Sequence, residues 1–133
     1  MRYTTLILSL LSLCLWTGCE TENTFTQRPP EILSGDWMAG ADSYVLQFLP
    51  NNRFAIQVPG DSPVSLTGWA YYPQKGHVTL VFDKRIGLCP EVTGVYAYER
   101  DGDELTFMLI QDSCKDRAGI MARTWKPEGD SWF

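Results

Sequence analysis

The chain is poor in the side chains from which most active sites are built. It has one histidine, His77, and four cysteines in 133 residues. A single histidine leaves histidine-cluster zinc sites without parts, and the sequence has no Gly-X-Ser-X-Gly elbow to present a nucleophilic serine. His77 follows a turn at the start of a strand and reads as an exposed structural residue. Basic residues are scarce too: 11 Lys and Arg against 16 Asp and Glu give a net charge of −5. Phosphate binding needs clustered Lys and Arg, so nucleic acid is excluded as a partner. Asp101, Asp103 and Glu104 lack the length and spacing of a twelve-residue calcium loop and read as a solvated turn. Paired carboxylates for glycoside hydrolysis need a cleft that nothing in the sequence signals. No catalytic constellation, metal site or cofactor is indicated, and we expect a protein that is not an enzyme. No segment of twelve or more residues carries an apolar stripe at helical spacing, so parallel βαβ units are not expected.

What the chain does have is apolar surface: 44% hydrophobic residues, with six Phe, five Trp and six Tyr. That is too rich for a disordered tail and enough for one domain with one core. Arg2, the apolar run Leu6–Trp16 and the small residues Thr17-Gly18 before Cys19 make a secretory signal segment. The run rises about 16 Å as a helix, short of the ~30 Å hydrocarbon core of a bilayer. Leu15-Trp16-Thr17-Gly18-Cys19 resembles a bacterial lipobox. That resemblance implies cleavage after residue 18, lipid attachment at Cys19, and a place in the bacterial cell envelope, anchored to a membrane through the N-terminal lipid. The mature chain then loses Arg2 and no acid, reaching a net charge of −6.

Under this reading Cys14 leaves with the signal and Cys19 carries lipid, so Cys89 and Cys114 remain to pair. Disulfides persist outside the cytoplasm, and a bridge closing this loop is worth roughly 3 kcal/mol in the chain-entropy model. Residues 1–18 are then signal, 19–32 a polar, Thr-rich tether, 33–127 the globular domain and 128–133 a tail.

From Gly35 onward apolar residues alternate with period two, and turn residues interrupt them every eight to twelve positions. Tyr44, Leu46 and Phe48 share a face, as do Phe54, Ile56 and Val58. Leu66, Gly68, Ala70 and Tyr72 follow, with Trp69 and Tyr71 opposite. Val78, Leu80 and Phe82, then Gly94, Tyr96 and Tyr98, then Leu105, Phe107 and Leu109 continue the pattern, with Met108 and Ile110 opposite the last set. A first strand over Asp36–Ala39 and a final one over Gly119–Trp125 bring the total to about eight. Short links between so many strands predict an all-β fold, an antiparallel up-and-down barrel, with a β-sandwich as the alternative.

Gly35-Asp36-Trp37 resembles the Gly-X-Trp that opens the first strand of lipocalins, and Arg123 near the end resembles the arginine that packs over that tryptophan. The likeness implies a lipocalin-like barrel with Gly35, Trp37 and Arg123 closing its base, and a small hydrophobic or amphipathic ligand as its guest. Trp69, Tyr71, Tyr96, Tyr98 and Phe107 are the candidate ligand-binding aromatics, unless they simply fill the interior. A second reading is a protein-binding module, for instance an inhibitor of a secreted or periplasmic hydrolase with Ile86-Gly87-Leu88 as its apolar loop. Asp112, Arg117 and Gly94 gather near the two cysteines, and there we expect an Arg117 ion pair with Asp112 or Asp116 and a crowded bend relieved by Gly94.

Overall fold

The structure is a computed structural model that describes residues 28–40 and 43–129; the signal segment and Cys19 lie outside the described residues. Eight strands follow one another: β1 (Asp36–Ala39), β2 (Tyr44–Leu49), β3 (Arg53–Val58), β4 (Val64–Tyr71), β5 (His77–Phe82), β6 (Thr93–Asp101), β7 (Glu104–Gln111) and β8 (Trp125–Pro127). Each pairs antiparallel with its sequence neighbour, and β8 closes on β1 through Trp37↔Pro127, Met38↔Lys126 and Ala39↔Trp125. The fold is therefore the up-and-down barrel, not the sandwich.

The alternation sets the walls. On β5, Val78, Leu80 and Phe82 are buried while His77, Thr79 and Val81 are half-buried on the outer side. Turn chemistry sets the links: Asn51 and Asn52 both take the left-handed conformation (φ 63° and 59°), whose twist suits a tight hairpin between β2 and β3.

Both ends of the barrel are stoppered. At the floor, a 3-10 turn over Glu31–Leu33 inserts the fully buried Leu33, whose carbonyl accepts a hydrogen bond from Trp37 Nε1 at 3.1 Å. Ile32 packs on the core as well, so Glu31 and Ile32, read above as the end of the tether, are built into the folded unit. At the opposite end lies a helix, α1 (Lys115–Met121), with Arg117 and Met121 buried. This corrects the final strand, expected over Gly119–Trp125, to the three residues of β8. Seven residues make only two turns, and of the positions facing inward, 117, 120 and 121, one is an arginine and Ile120 is only partly buried, so no apolar stripe was there to find.

The interior is one cluster. Phe48 stands 6.0 Å from Phe107, Phe107 6.4 Å from Tyr98, and Phe54 5.8 Å from Phe82 between ring centroids, spacings at which aromatic pairs attract. Gly68 is needed for this packing: a Cβ there would meet the Val81 carbonyl and would lie 2.7 Å from Phe54 Cε1 and 2.9 Å from Phe82 Cα.

Candidate protein-binding face

The five aromatic candidates do not form one site. Tyr96, Tyr98 and Phe107 point inward and are buried among the core rings. Trp69 and Tyr71 stand on the outer wall, 42% and 47% exposed. A guest inside the barrel would have to displace the rings that now touch one another, beneath two stoppered ends. The described clefts open at the ends and on the outside. One, of about 580 Å³, lies beside the floor turn against Pro30, Ile32, Tyr98 and Arg100, and another lies on the wall under Trp69 and Asp83.

Strand register assembles the wall around Trp69 and Tyr71. Trp69 pairs with Val81, and Val81 with Thr93; Tyr71 pairs with Thr79, and Thr79 with Val95; Ala97, next along β6, pairs with Met108. All of these side chains are on the outward parity of their strands. Met108 is 46% and Ile110 53% exposed. On the outer face of β4 to β7, Trp69, Tyr71, Thr79, Val81, Val95, Ala97, Met108 and Ile110 form an uncharged stretch, bounded toward the floor by the acids Glu99, Asp101 and Glu104 on the same parity. Sequence alternation placed Trp69, Tyr71, Met108 and Ile110 opposite the core, but only the pairing register shows that they belong to one surface.

One edge of this wall is braced by an ion pair. Arg53 donates to both Asp83 oxygens at 2.8 and 2.5 Å, Thr67 Oγ1 donates to the same carboxylate at 2.6 Å, and the guanidinium lies 4.4 Å from the Trp69 ring centre. The Arg53 hydrogen bonds, supported by Thr67, outweigh partial burial and hold the Asp83 carboxyl down at about 2. Arg53 fixes the Trp69 indole from beneath, so the exposed aromatic is presented rather than loose. Neither Arg53 nor Asp83 carried a signal in the sequence, because their positions are 30 apart.

At the α1 end the expected staple is present. Cys89 and Cys114 form a disulfide, with Cα atoms 5.7 Å apart. Arg117 donates to Asp112 through Nε at 2.7 Å and Nη2 at 2.8 Å, and Nη2 also reaches the Val92 carbonyl at 2.9 Å. Tyr96 Oη and the Cys114 amide donate to Asp112 as well. Burial alone would raise the Asp112 carboxyl, and these donors reverse that and hold it below its usual range. The Tyr96 phenol is pushed up, first by burial and then by the adjacent carboxylate. Every strong partner in this group is internal, which gives it a structural role at the rim.

Two other expectations are corrected. The guanidinium over Trp37 belongs to Arg100, at 5.2 Å, whereas Arg123 lies 4.2 Å over the Tyr44 ring. Arg123 precedes β8 in the link from α1, at the end of the barrel away from the floor; Arg100 is at the floor end of β6. Gly35, with φ 95°, turns the chain out of the floor turn into β1, and Trp37 is buried. The loop Ile86-Gly87-Leu88 does not protrude: Ile86 and Leu88 pack against the core. Among the described residues no three His, Cys, Asp or Glu side chains are placed to hold a metal, and no helix is long and apolar enough to cross a membrane. Comparison with protein-family models, with curated proteins and with solved structures found no match.

Proposed function

We propose that this is a lipid-anchored cell-envelope protein whose barrel is a protein-binding module, docking its partner through the outer wall of β4 to β7. The observation that carries the reading is the uncharged stretch of that wall, with Trp69 and Tyr71 exposed and acids at its floor-end border, on a chain of net charge −5. Exposed apolar patches rimmed by polar residues mark interaction sites. Aromatic residues and Met are also enriched at the centres of protein interfaces, from which charged residues are depleted. Lipid at Cys19 and the polar segment that follows would hold this wall near the membrane while leaving it accessible. Inhibition of a secreted hydrolase is one role such a module can fill. Carriage of a small hydrophobic guest, as the lipocalin resemblance implies, draws less support, because the interior rings pack against each other.

The test compares the native chain with a Trp69→Glu/Tyr71→Glu variant. Both positions are half-exposed, so the variant should melt within about 3 °C of the native protein. Each is cross-linked in intact envelopes and captured proteins are quantified, while native mass spectrometry screens both against envelope lipid extract. A protein enriched by the native chain and lost at least tenfold in the variant supports docking through the wall. A discrete lipid adduct retained by both, with no protein lost in the variant, would overturn it in favour of the carrier.

A further inference from the structure

The barrel has one weak seam. β8 is three residues long, and its ladder with β7 contains a single pair, Leu105↔Trp125. On its other side β7 pairs with β6 as far as Gln111, past a bulge at Val95/Tyr96. Among the described residues, no strand pairs with Phe107–Gln111 on the β8 side. The side chains report the same opening. Leu105, Phe107 and Leu109 share the inward parity, and the first two are buried, yet Leu109 is 57% exposed. Met108 and Ile110, on the opposite parity, are also about half exposed. Beyond Phe107 the strand therefore meets solvent on both faces and along one edge. Natural edges of this kind are usually blunted by lysine, proline or inward-pointing charge; Leu105–Gln111 reads Leu-Thr-Phe-Met-Leu-Ile-Gln and has none of these.

We propose that β7 is a dimerisation edge, at which two copies of this chain pair antiparallel along Phe107–Gln111 about a twofold axis at Leu109. Charge selects this occupant. Two chains of net charge −5 repel over most of their surfaces, and this segment lets them approach without facing like charges. A basic partner steered toward the acidic chain would find no acid along this edge to hold it. The twofold register sets Leu109 against Leu109, Met108 against Ile110, and Phe107 against Gln111, each pair occurring twice except the central one. It also carries Asp103, in the turn before β7, toward Lys115, at the start of α1, on the other copy. Because the interface is isologous it closes after two copies and does not propagate into a fibre. It joins the two β6–β7 sheets edge to edge, so the uncharged stretches of the walls become neighbours. The inference stands on the seam and does not depend on what docks on the wall.

The full-length chain tests this in its own envelope. A Leu109→Cys variant places two thiols at the twofold axis and should yield, on mild oxidation, a non-reducing band at about twice the mass of the monomer band. Ser65→Cys, on the exposed start of β4, should not. Sedimentation of the purified chain should report a dimer that Leu109→Asp converts to monomer, with Ile110→Lys as a second variant on the other face of the strand. Trp69→Glu/Tyr71→Glu should leave the dimer intact, which separates this interface from docking on the wall. The proposal is overturned by a wild-type monomer at about 100 μM, by a dimer that survives both Leu109→Asp and Ile110→Lys, or by Leu109→Cys cross-linking no better than Ser65→Cys.

Discussion

Adding one methyl group at each of two glycines should move stability in opposite directions. Gly94 lies on β6 beneath the buried Asp112–Arg117 pair. A Cβ there would touch the Asp112 carboxylate, 2.6 Å from Cγ, and would stand 2.9 Å from Arg117 Nε. Both side chains are fully buried and joined to Tyr96, Val92 and the Cys114 amide, so neither can swing aside without breaking hydrogen bonds. Overpacking of this kind costs about 1–3 kcal/mol, and a buried ion pair pulled out of register adds a share of the roughly 3–5 kcal/mol that losing one partner costs. We expect Gly94→Ala to destabilise by about 3 kcal/mol. Gly119 lies in α1 with nothing within 4 Å of its would-be Cβ. There alanine gains helix propensity, stabilising by up to about 1 kcal/mol. At about 4–8 °C per kcal/mol for a domain of this size, Gly94→Ala should lower Tm by roughly 12–24 °C and Gly119→Ala should raise it by a few. Near-UV circular dichroism of the oxidised protein during a thermal scan reads both. A Gly94→Ala variant melting within about 2 °C of wild type, or two shifts of the same sign, would refute the account of the rim.

Two further outcomes follow from the ion pair and the staple. The Asp83 carboxyl is held at about 2 in the fold and titrates near 3.9 when unfolded. Its contribution is thus fully present above about pH 4 and is lost as pH falls toward 2. Asp83→Asn should therefore cost about 1 kcal/mol at pH 6, the scale of a partly exposed bidentate pair, and only a small fraction of that at pH 2, where the folded carboxyl is about half protonated. Urea unfolding across that range checks it, and a deficit undiminished between pH 6 and pH 2 would count against the assignment. Replacing both Cys89 and Cys114 by serine should remove about 3 kcal/mol, since the bridge spans a sequence separation of 25, measured as a lower urea midpoint. An unchanged midpoint would show that α1 holds the rim without the bridge.

Much of this barrel is legible because a strand with one dry face must alternate. The inward sets of β2 to β6, from Leu46 and Phe48 to Tyr96 and Tyr98, are read directly from period two. The rim is legible for another reason: two cysteines without other use, two nearby acids and one arginine leave few ways to satisfy a buried charge. Legibility fails where the cause is tertiary. The α1 segment hides its helical face behind a buried Arg117. Arg100 rather than Arg123 covers Trp37, because the helix leaves Arg123 at the end of the barrel away from the floor, over Tyr44. Trp69 and Tyr71 were placed outside by parity, yet what they belong to depends on the register of four strands, which no local pattern contains. The likeness to lipocalins groups outward and inward aromatics under one ligand; the strand faces separate them.

The same shortfall of strand accounts for several of these features together. Thirteen residues, 112–124, link the end of β7 at Gln111 to the start of β8 at Trp125, and only Trp125–Pro127 return to the sheet as β8. The rest of the link makes α1, which stoppers the end but leaves β7 and β8 joined by one residue pair. A helix of two turns is too short to hold itself, so it is fastened twice, by Cys89–Cys114 at its start and by Arg117 within it. Both fastenings reach back to the β5–β6 link and secure the end without sealing the seam below. Leu109 is exposed because the strand that should cover it was spent on the helix. The staple and the open edge are therefore two consequences of one topological choice. A variant that lengthened β8 to cover Phe107–Gln111 would seal the edge and remove the dimer with it.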